Sequence, residues 1–406
     1  MGALDGIKLL DFSWSVAGPL TSRYFSTFGA DVIRVESALR PDVIRRTIPI
    51  VGKSKGGDPG PNRSAFYAMC NTDKRSITLN LKHPKGRDLA LRLGAWADIV
   101  LESFTPGTME EWGLGYEAFN EVNPRVVMLS TSMLGRGGPK STQPGFGNVL
   151  TALSGLTWLT GWPDGGPTPP YGPYTDFISP KFAVPALLAA LDRRDRTGKG
   201  MYLDLSQFET TLYFAGPQIL DYQVNQHLPA RQGNSDPGAA PHGVYPCRGD
   251  DRWIAIACAT GEQWQRLCDV MGRPALSSEE RFSTFHARKA NEAELNDLLA
   301  TWTRRRSAPR LTSLLQGAGV PAYPVQNARD VFHDPQLGAR GHFVPLDHPE
   351  IGLHYAPAAE FRLARSSSRP ARRSPLLGEH TSEVLKGVLG LGQSEIDALR
   401  QERVLD

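Results

Sequence analysis

The sequence predicts an α/β protein in which helices cover both faces of a parallel β-sheet and a second, smaller domain follows. Over roughly the first two hundred residues, short apolar runs alternate with helical patterns, an alternation typical of βαβ units. After a stretch rich in Gly, Pro and Asn at 229–241, the pattern changes to two apolar runs around a tight turn at Gly249 to Asp251. Such a pair is typical of an antiparallel hairpin, so we expect a different domain to begin there.

The predicted strands of the sheet are apolar along their length, which is typical of strands buried on both faces. They are IKLLDF, DVIRVE, SITLNL, IVLESF and RVVMLSTS, with helices between them at about Gly18 to Gly29, Pro84 to Ala97 and Tyr116 to Val122. A long helix, SPKFAVPALLAALDRR, comes after a Gly/Pro-rich region, and we expect Ser179 as its N-cap and Pro180 as its first residue. Ligands of parallel sheets bind at the carboxyl ends of the strands, so a site is expected there.

The second domain is completed by further helical patterns. These run from Gly261 to Met271, Asn291 to Arg305 and Arg310 to Gly317. After about residue 335 the chain returns to short strands, and two short helices follow near its end. Between them lies the basic segment RLARSSSRPARR (362–373), which we expect to be a solvated link between the two domains.

Charge and cysteine content argue against several classes of protein. The 406-residue chain has 45 Lys and Arg against 42 Asp and Glu, a net charge of +3, so no nucleic-acid partner is expected. The cysteines show neither a CxxC pair nor metal-like spacing, so we expect reduced thiols and no metal site: Cys70, Cys247, Cys258 and Cys268. No apolar run has the length of a membrane span and no secretion signal precedes the first strand, so we expect a cytoplasmic protein without a membrane partner.

Several common ligand-binding and catalytic motifs are absent from the sequence. No GxGxxG follows the first strand and no GxxxxGK[ST] occurs, so a dinucleotide cofactor and a nucleoside triphosphate both lack their usual backbone cradle. Glu36, at the end of the second predicted strand, has the position of a ribose-binding acid but lacks the glycine pattern that accompanies that role. GxSxG and HExxH are also absent, which argues against the common serine and zinc hydrolases.

Asp176 is the polar residue whose position is most informative. It lies in PYTDFISPKFAVPALLAAL, after the Gly/Pro-rich region and just ahead of the predicted long helix. An aspartate there can cap the helix or complement its positive end. It can also attack a thioester carbonyl, provided that the helix end lowers its pKa and keeps it a carboxylate. Position alone leaves both roles open.

Six phrases spread along nearly the whole chain resemble one family. They are LDGIKLLDFSWSVAGP, FGADVIRVES, NTDKRSITLNLKHPKG, ESFTPGTMEEWGLGYE, the long helix with its RTGKG turn, and PLLGEHTSEVL. In this order they are similar to the class III CoA-transferases of the CaiB/BaiF type. The resemblance implies an enzyme that moves CoA from an acyl-CoA donor to a carboxylic acid acceptor, with Asp176 as the nucleophile that forms a covalent intermediate. It implies coenzyme A thioesters as substrates and no permanently bound cofactor.

The resemblance also implies an architecture. Residues 1–228 would form the first part of a large Rossmann-like, CoA-binding domain. Residues 229–330 would form a smaller α+β domain inserted into it, and residues 331–406 would be a linker and a C-terminal part that returns to the large domain. Two such chains would interlock like rings, and a homodimer is the expected assembly.

Contacts to CoA or the acyl group are carried over where a motif matches. They are Val16 and Ala17 after the first strand, Leu79 and Lys82 in LNLK, Ser103, Phe104 and Thr105 after the fourth strand, and Gly145, Phe146 and Asn148 in the loop that faces the nucleophile. Backbone amides of that loop are expected to stabilise a developing oxyanion.

Three positions depart from the family pattern. The family often has basic residues where this chain has Ser37, Glu111 and Pro144, and in some members these hold the nucleotide phosphates. We expect Arg40 or Arg34 to replace them, because a long guanidinium side chain reaches a phosphate from nearby. The departure leaves open a heteromeric transferase in which this chain supplies the nucleophile and a paralogous partner binds the nucleotide.

Two expectations concern the reaction and its substrates. Racemases of the same family use a histidine where this chain has Phe146, so an acyl-CoA racemase or isomerase is the alternative function, without an evident base.

Many family members use succinyl-CoA, which we expect as donor. Aromatic side chains of the Gly/Pro-rich region suggest a bulky or aromatic acceptor: Trp158, Trp162, Tyr171 and Tyr174.

Overall fold

The structure, a computed structural model, describes residues 2–52 and 60–406. In chain order its strands are β1 (Lys8–Asp11), β2 (Asp31–Glu36), β3 (Arg75–Thr78), β4 (Ile99–Glu102), β5 (Val127–Ser132), β6 (Met201–Ser206), β7 (His242–Pro246), β8 (Trp253–Ala257), β9 (Ala322–Pro324), β10 (Phe343–His348) and β11 (Gly352–Pro357). Its α-helices are α1 (Ala17–Thr27), α2 (Ala65–Cys70), α3 (Pro84–Trp96), α4 (Thr108–Glu111), α5 (Tyr116–Val122), α6 (Gly147–Leu153), α7 (Leu156–Leu159), α8 (Tyr174–Thr197), α9 (Gln207–Leu212), α10 (Gly216–Asn225), α11 (Gly261–Met271), α12 (Phe285–Ala290), α13 (Glu292–Thr303), α14 (Ala308–Gly317), α15 (Ala328–Phe332), α16 (Pro335–Arg340), α17 (Thr381–Gly387) and α18 (Gln393–Gln401). Among the described residues, no helix has both the length and the apolar character needed to cross a lipid bilayer.

The chain forms two compact units. The large unit comprises Met1–Leu156, Pro170–His227 and Pro335–Asp406, and the small unit comprises Thr157–Pro169 and Leu228–Asp334.

The basic segment 362–373 lies within the large unit and does not link the two units, contrary to expectation. It is held there by Asp73, whose Oδ1 accepts the backbone N–H groups of Ala371 and Arg372 at 2.9 and 2.7 Å. These contacts follow from tertiary structure, which charge composition does not reveal.

A six-stranded parallel sheet forms the centre of the large unit, which confirms the predicted α/β class. The strand order is β3-β2-β1-β4-β5-β6, the order of a doubly wound Rossmann sheet. From β1 the sheet is extended on one side by β2 and β3 and on the other side by β4, β5 and β6. The connections after β1 and after β4 therefore run to opposite edges of the sheet. A crevice opens at the carboxyl ends of these two strands, which is where the ligands of such sheets bind.

Alternate residues of each strand supply the two cores of the large unit. Leu10, Ile33 and Val100 point to one face, where α3 and the C-terminal helices α17 and α18 cover them. Leu9 and Val32 point to the other face, which is covered by α1 and α8. Because both faces are buried, the strands are apolar throughout, and the long helix α8 is fixed on the sheet beside the crevice.

The start of α8 differs from the sequence prediction. The helix begins at Tyr174 rather than after Ser179, so Asp176 lies in its first turn and Pro180 within it. Proline normally disfavours the helix interior because it has no N–H group, and here the carbonyl of Asp176 consequently lacks a helical donor. The Ser179 hydroxyl, which was expected to cap the helix, instead donates to the Thr175 carbonyl at 2.8 Å.

A buried network of charges lies at the carboxyl ends of β1 and β2. Three acids and three bases with fully buried side chains form it: Asp11, Glu36, Asp42, Arg34, Arg45 and Lys74. Arg34 is its centre, because its guanidinium contacts all three carboxylates. The three negative charges balance the three positive ones, so each buried charge has at least one partner of opposite sign.

Removing the central base should destabilise the large unit. We expect Arg34→Met to lower the free energy of unfolding by about 3–5 kcal/mol, because it leaves buried carboxylates without their partner. Urea unfolding at neutral pH measures this, with Arg400→Met as the control. Arg400 is exposed, and its partners among the described residues are Asp397 and the Ser382 hydroxyl, so its loss should cost at most about 1 kcal/mol. Equal effects of the two substitutions would show that the network is not needed for stability.

The small unit contains a three-stranded antiparallel sheet in the order β7-β8-β9. The predicted hairpin around Gly249 to Asp251 is present as β7 and β8. Helices α11, α13 and α14 contribute to its core, in which Trp264 and Phe282 are almost fully buried. Two aromatic residues predicted to face an acceptor pack here, because Arg231 lies over the Trp158 ring and Gly233 lies against Trp162.

Candidate active site

A cavity of about 260 Å³ lies at the carboxyl ends of the central strands, next to the start of α8. Its walls come from the turn after β1, the ends of β4 and β5, the loop before α6 and the first turns of α8 and α9. The residues that line it are Trp14, Ser15, Ala17, Arg40, Val43, Ser103, Phe104, Thr105, Pro106, Thr131, Ser132, Met133, Ser141, Gln143, Pro144, Gly145, Phe146, Gly147, Asp176 and Gln207. Of these described lining residues, only Arg40 and Asp176 have an acidic or basic side chain. We call this space the Asp176 cavity.

Asp176 is buried, and burial shifts the pKa of its carboxyl in the direction opposite to the one predicted from the sequence. The residue is only 7% exposed, and burial raises the pKa of its carboxyl to about 7. No described residue donates a hydrogen bond to this carboxyl or pairs with its charge. The predicted lowering by the helix end is therefore wrong, because the cost of desolvating the carboxylate outweighs the favourable end of the helix.

Gly147 brings the loop before α6 into contact with Asp176. A Cβ atom at this position would lie 2.8 Å from Asp176 Oδ1 and 2.9 Å from its Cγ, so only glycine leaves the carboxyl in place. The Thr175 hydroxyl donates to the Gly147 carbonyl at 3.3 Å and fixes the approach of the two segments. As Gly147 is the first residue of α6, the first backbone N–H groups of that helix have no acceptor within it.

A larger cavity of about 560 Å³ adjoins the first and has the size of a nucleotide-binding site. It lies over the ends of β2 and β3 and is lined by Phe12, Trp14, Val35, Glu36, Ser37, Leu39, Arg40, Leu79, Asn80, Leu81, Lys82, Phe104, Thr105, Thr108 and Trp112. Four of these residues also line the Asp176 cavity, namely Trp14, Arg40, Phe104 and Thr105. The two cavities therefore share one wall, and we call the larger one the nucleotide cavity.

Most of the residues predicted to contact CoA line one of these cavities. Leu79 and Lys82 line the nucleotide cavity, while Ala17, Ser103, Gly145 and Phe146 line the Asp176 cavity. Arg40, Phe104 and Thr105 line both.

Val16 and Asn148 line neither cavity. Val16 is 3% exposed and packs in a core cluster with Leu20 and Ile44, and Asn148 is exposed. The turn and the loop that contain them are nevertheless the expected ones, so a motif identifies the segment more reliably than it identifies the side chain that faces the cavity.

The three departures from the family pattern have different surroundings. Ser37 lines the nucleotide cavity and Pro144 the Asp176 cavity, whereas Glu111 is exposed at the end of α4. Of the two proposed replacements, Arg34 cannot reach a ligand, since its side chain is fully buried in the charge network. Arg40 is exposed, lines both cavities and lies over the Trp14 ring at 5.4 Å.

The shared wall is held by Ser103, in a role that the sequence did not predict for it, and by Glu102, which the sequence analysis did not single out. The Ser103 hydroxyl lies 2.8 Å from the backbone N of Trp14 and 3.1 Å from its carbonyl O, so it holds the turn after β1 rather than only facing a ligand. Glu102, at the end of β4, accepts the N–H of Phe104 at 2.7 Å and pairs with Arg136 at 3.4 Å. Burial raises the pKa of Glu102 to about 7. Its place at a strand end is the sequence signal that would have singled it out.

A nucleotide-sized cavity at the switch point of a parallel sheet is typical of nucleotide-binding α/β proteins. Where the structure describes the chain, no three His, Cys, Asp or Glu side chains are grouped as metal ligands. Comparison with known proteins then specifies the family. The model of CoA-transferase family III matches residues 4–381. The chain therefore belongs to the class III CoA-transferases, enzymes that act on CoA thioesters and carboxylic acids.

Relatives and solved structures agree with this assignment. The chain is 33% identical over 402 residues to succinyl-CoA–D-citramalate CoA-transferase of Chloroflexus aurantiacus, covering 99% of this chain and 98% of that protein. It is 31% identical to the β subunit of succinyl-CoA–L-malate CoA-transferase of the same organism (99% and 98%) and 30% identical to succinyl-CoA:glutarate CoA-transferase of Homo sapiens (99% and 90%). A CAIB/BAIF family protein from Brucella suis superposes with a TM-score of 0.87 at 32% identity, over 95% of this chain and 99% of that one.

The close approach of Gly147 to Asp176 can be tested by adding one methyl group. If the carboxyl of Asp176 takes part in the reaction, Gly147→Ala should slow CoA transfer by roughly 100-fold, because the added Cβ displaces this carboxyl. The matched control is Gly261→Ala at the start of α11, where an added Cβ has no heavy atom within 4 Å and transfer should be unchanged. Steady-state rates of CoA transfer and circular dichroism of the two variants make the measurement. A folded Gly147→Ala enzyme with the wild-type rate would refute the proposed contact.

The raised pKa of Asp176 predicts a pH-dependent stability. Its carboxyl has a pKa of about 7 in the folded chain against an ordinary value of 3.8, so the folded chain holds this proton more tightly. The contribution of this carboxyl to the free energy of unfolding should therefore fall as the pH rises from about 4 to about 7 and stay level above that. Asp176→Asn removes this loss, so it should be more stable than the wild type above about pH 7, by at most roughly 4 kcal/mol.

Urea unfolding of both proteins at a series of pH values gives the difference directly. Glu102, which titrates in the same range, is present in both proteins and cancels in the comparison. An asparagine variant that is less stable than the wild type at about pH 8 would mean that a partner stabilises the carboxylate.

Proposed function

We propose that this enzyme takes CoA from succinyl-CoA and passes it to a second carboxylic acid through a covalent intermediate on Asp176. The observation that supports this most strongly is the buried carboxyl of Asp176, which has no partner among the described residues. It lies in a cavity that shares a wall with the nucleotide cavity. The choice of donor is supported by relatives that are named for succinyl-CoA and cover nearly the whole chain.

The two cavities match the two ends of a CoA thioester. In this proposal the nucleotide occupies the larger cavity, with the apolar Leu79 and Phe104 against the base and Arg40 and Lys82 near the phosphates. These two are the basic side chains among its described lining residues, and each can donate charge-assisted hydrogen bonds to phosphate oxygens. The pantetheine arm then passes the wall shared by both cavities and brings the thioester to Asp176.

The reaction consists of two pairs of acyl transfers without any oxidation or reduction. A carboxylate oxygen of Asp176 attacks the thioester carbonyl, the C–S bond breaks, and CoA leaves as a thiolate. The product is a mixed anhydride between the donor acid and Asp176. The thiolate then attacks the Asp176 carbonyl, which releases the donor acid and leaves an aspartyl-CoA thioester. The acceptor carboxylate reverses both steps and takes the CoA away.

The surroundings of Asp176 favour this role over a structural one. A carboxylate that no cation or donor stabilises is more basic than one in water, and its attack does not first require breaking strong hydrogen bonds. The unpaired backbone N–H groups at Gly147 and Asn148 are the nearest candidates to stabilise an oxyanion. Histidine, the base expected of a racemase, does not occur among the described residues that line this cavity; Phe146 lies at that place.

Loss of the carboxylate should abolish transfer and leave the fold intact. We expect Asp176→Ala to retain less than about 0.1% of wild-type turnover, because removing a nucleophile costs several orders of magnitude. Intact-mass spectrometry after incubation with succinyl-CoA should show an adduct on the wild-type chain and none on the variant. Retained turnover in the variant would exclude the nucleophile, whereas exchange of the α-proton of an acyl-CoA in deuterated water without an acceptor would support an isomerase.

We also propose that two copies of this chain interlock as a homodimer. Helix α10 buries none of its residues although several are large and apolar, with Leu220 59% and Val224 70% exposed. Tyr213, just before it, is 75% exposed. An apolar surface of this kind is normally covered by a partner. Two relatives are named as α and β subunits of one transferase, so a paralogous partner is the alternative.

Sedimentation velocity of the chain expressed alone distinguishes these assemblies. We expect a dimer at micromolar concentration that binds CoA in calorimetry and whose thermal midpoint rises with protein concentration, because folding and association are then linked. A stable, folded monomer would contradict interlocking. A dimer without measurable CoA binding would instead favour a paralogous partner that binds the nucleotide.

A further inference from the structure

Gln207 lines the Asp176 cavity and has a side-chain amide that the reaction described above does not use. The residue is 7% exposed, lines the cavity and is the first residue of α9, directly after β6. No described residue makes a hydrogen bond with its side-chain amide, although its backbone carbonyl accepts from the hydroxyls of Thr210 and Thr211, both at 2.8 Å. Hydrogen bonds thus fix its backbone, while its side-chain amide has no hydrogen-bond partner among the described residues.

The neighbouring wall has the same character. Thr131 and Ser132 form the end of β5, line the same cavity and have buried hydroxyls without a partner among the described residues. Ser132 pairs in register with Ser206, the residue before Gln207, so the three side chains come from adjacent strand ends. Native proteins seldom leave neighbouring buried polar groups unpaired. Because the two hydroxyls have almost no accessible surface, the Gln207 amide is the one of these three groups that an acid in the cavity can reach.

We propose that Gln207 determines acceptor specificity by binding a hydroxyl group of the acid, so that the preferred acceptor is a hydroxy acid. This inference rests on the proposed function. An amide offers both a donor and an acceptor, which matches a hydroxyl and not a bare methylene chain. A second carboxylate is disfavoured at this place, since the adjoining wall, Thr131 to Met133, is neutral and offers no cation to pair with it.

A matched pair of acceptors tests the proposal. Glutarate and 2-hydroxyglutarate differ by one hydroxyl, and each enantiomer of the latter is assayed with succinyl-CoA as donor. We expect one enantiomer to exceed glutarate in kcat/KM by roughly 10-fold, the effect of one well-formed hydrogen bond. Gln207→Leu should lower kcat/KM for that enantiomer by about the same factor and change the value for glutarate by less than about twofold.

Two additional variants keep the test decisive. Gln207→Met retains the length of the side chain without its hydrogen bonds and should behave like Gln207→Leu, including where the leucine variant folds poorly. Gln401→Met, on the exposed end of α18, should leave the ratio of the two acceptors unchanged. A wild type that uses glutarate and both hydroxy acids equally well, or a ratio that survives in folded Gln207→Met, would overturn the proposal.

The outcome is separable from that of the proposed function. If the wild-type chain forms no adduct on Asp176 and transfers CoA to no acid, the proposed function fails. If the adduct forms normally in the Gln207 variants and the hydroxyl preference is unchanged, only the role of Gln207 fails.

Discussion

Buried charges at the carboxyl ends of β1 and β2 hold the turn on which both cavities depend. Asp42, paired with the central Arg34, accepts the backbone N–H of Ser15 at 3.0 Å. Ser15 has φ of +63°, a left-handed conformation that a residue with a side chain adopts only when its surroundings fix it. The adjacent Trp14 belongs to the wall between the two cavities. The wall between the two cavities is therefore held by the buried ion pair of Arg34 and Asp42, whose side chains line neither cavity.

Asp176 is also buried, but the charges around it differ from those in the network. In the network every carboxylate has a cationic partner, and these partners hold the pKa of Asp11 and Glu36 below its ordinary value, although burial still raises that of Asp42. The carboxyl of Asp176 has no cationic partner among the described residues, and its pKa rises to about 7. The large unit thus contains buried acids that pair with bases and one buried carboxyl without such a pair among the described residues. Desolvation of the ionised Asp176 lowers the stability of this unit, and Gly147 and Pro180 are the local features beside it.

The sequence was sufficient for the parallel sheet, its strands and most cavity-lining segments, because these depend on apolar periodicity and on short motifs. It was insufficient where the answer depends on neighbours distant in sequence. The start of α8 was missed since proline usually begins a helix, and the pKa of Asp176 was predicted in the wrong direction because burial is a property of the folded chain. Arg34 looked available for a phosphate until its three carboxylate partners were known. The role of Gln207 could not be predicted, because the sequence shows only that it directly follows a strand.

The central claim is that a carboxylate oxygen of Asp176 is exchanged in every turnover. When the acceptor acid carries isotopically heavy oxygen, the mixed anhydride formed with Asp176 collapses so that one acceptor oxygen stays on the enzyme. Trypsin releases Asp176 in the peptide 141–181, and fragmentation separates it from Asp164 in the same peptide. The account predicts heavy oxygen in Asp176, dependent on succinyl-CoA, and none in Asp164. Complete CoA transfer with an unlabelled Asp176 would contradict it.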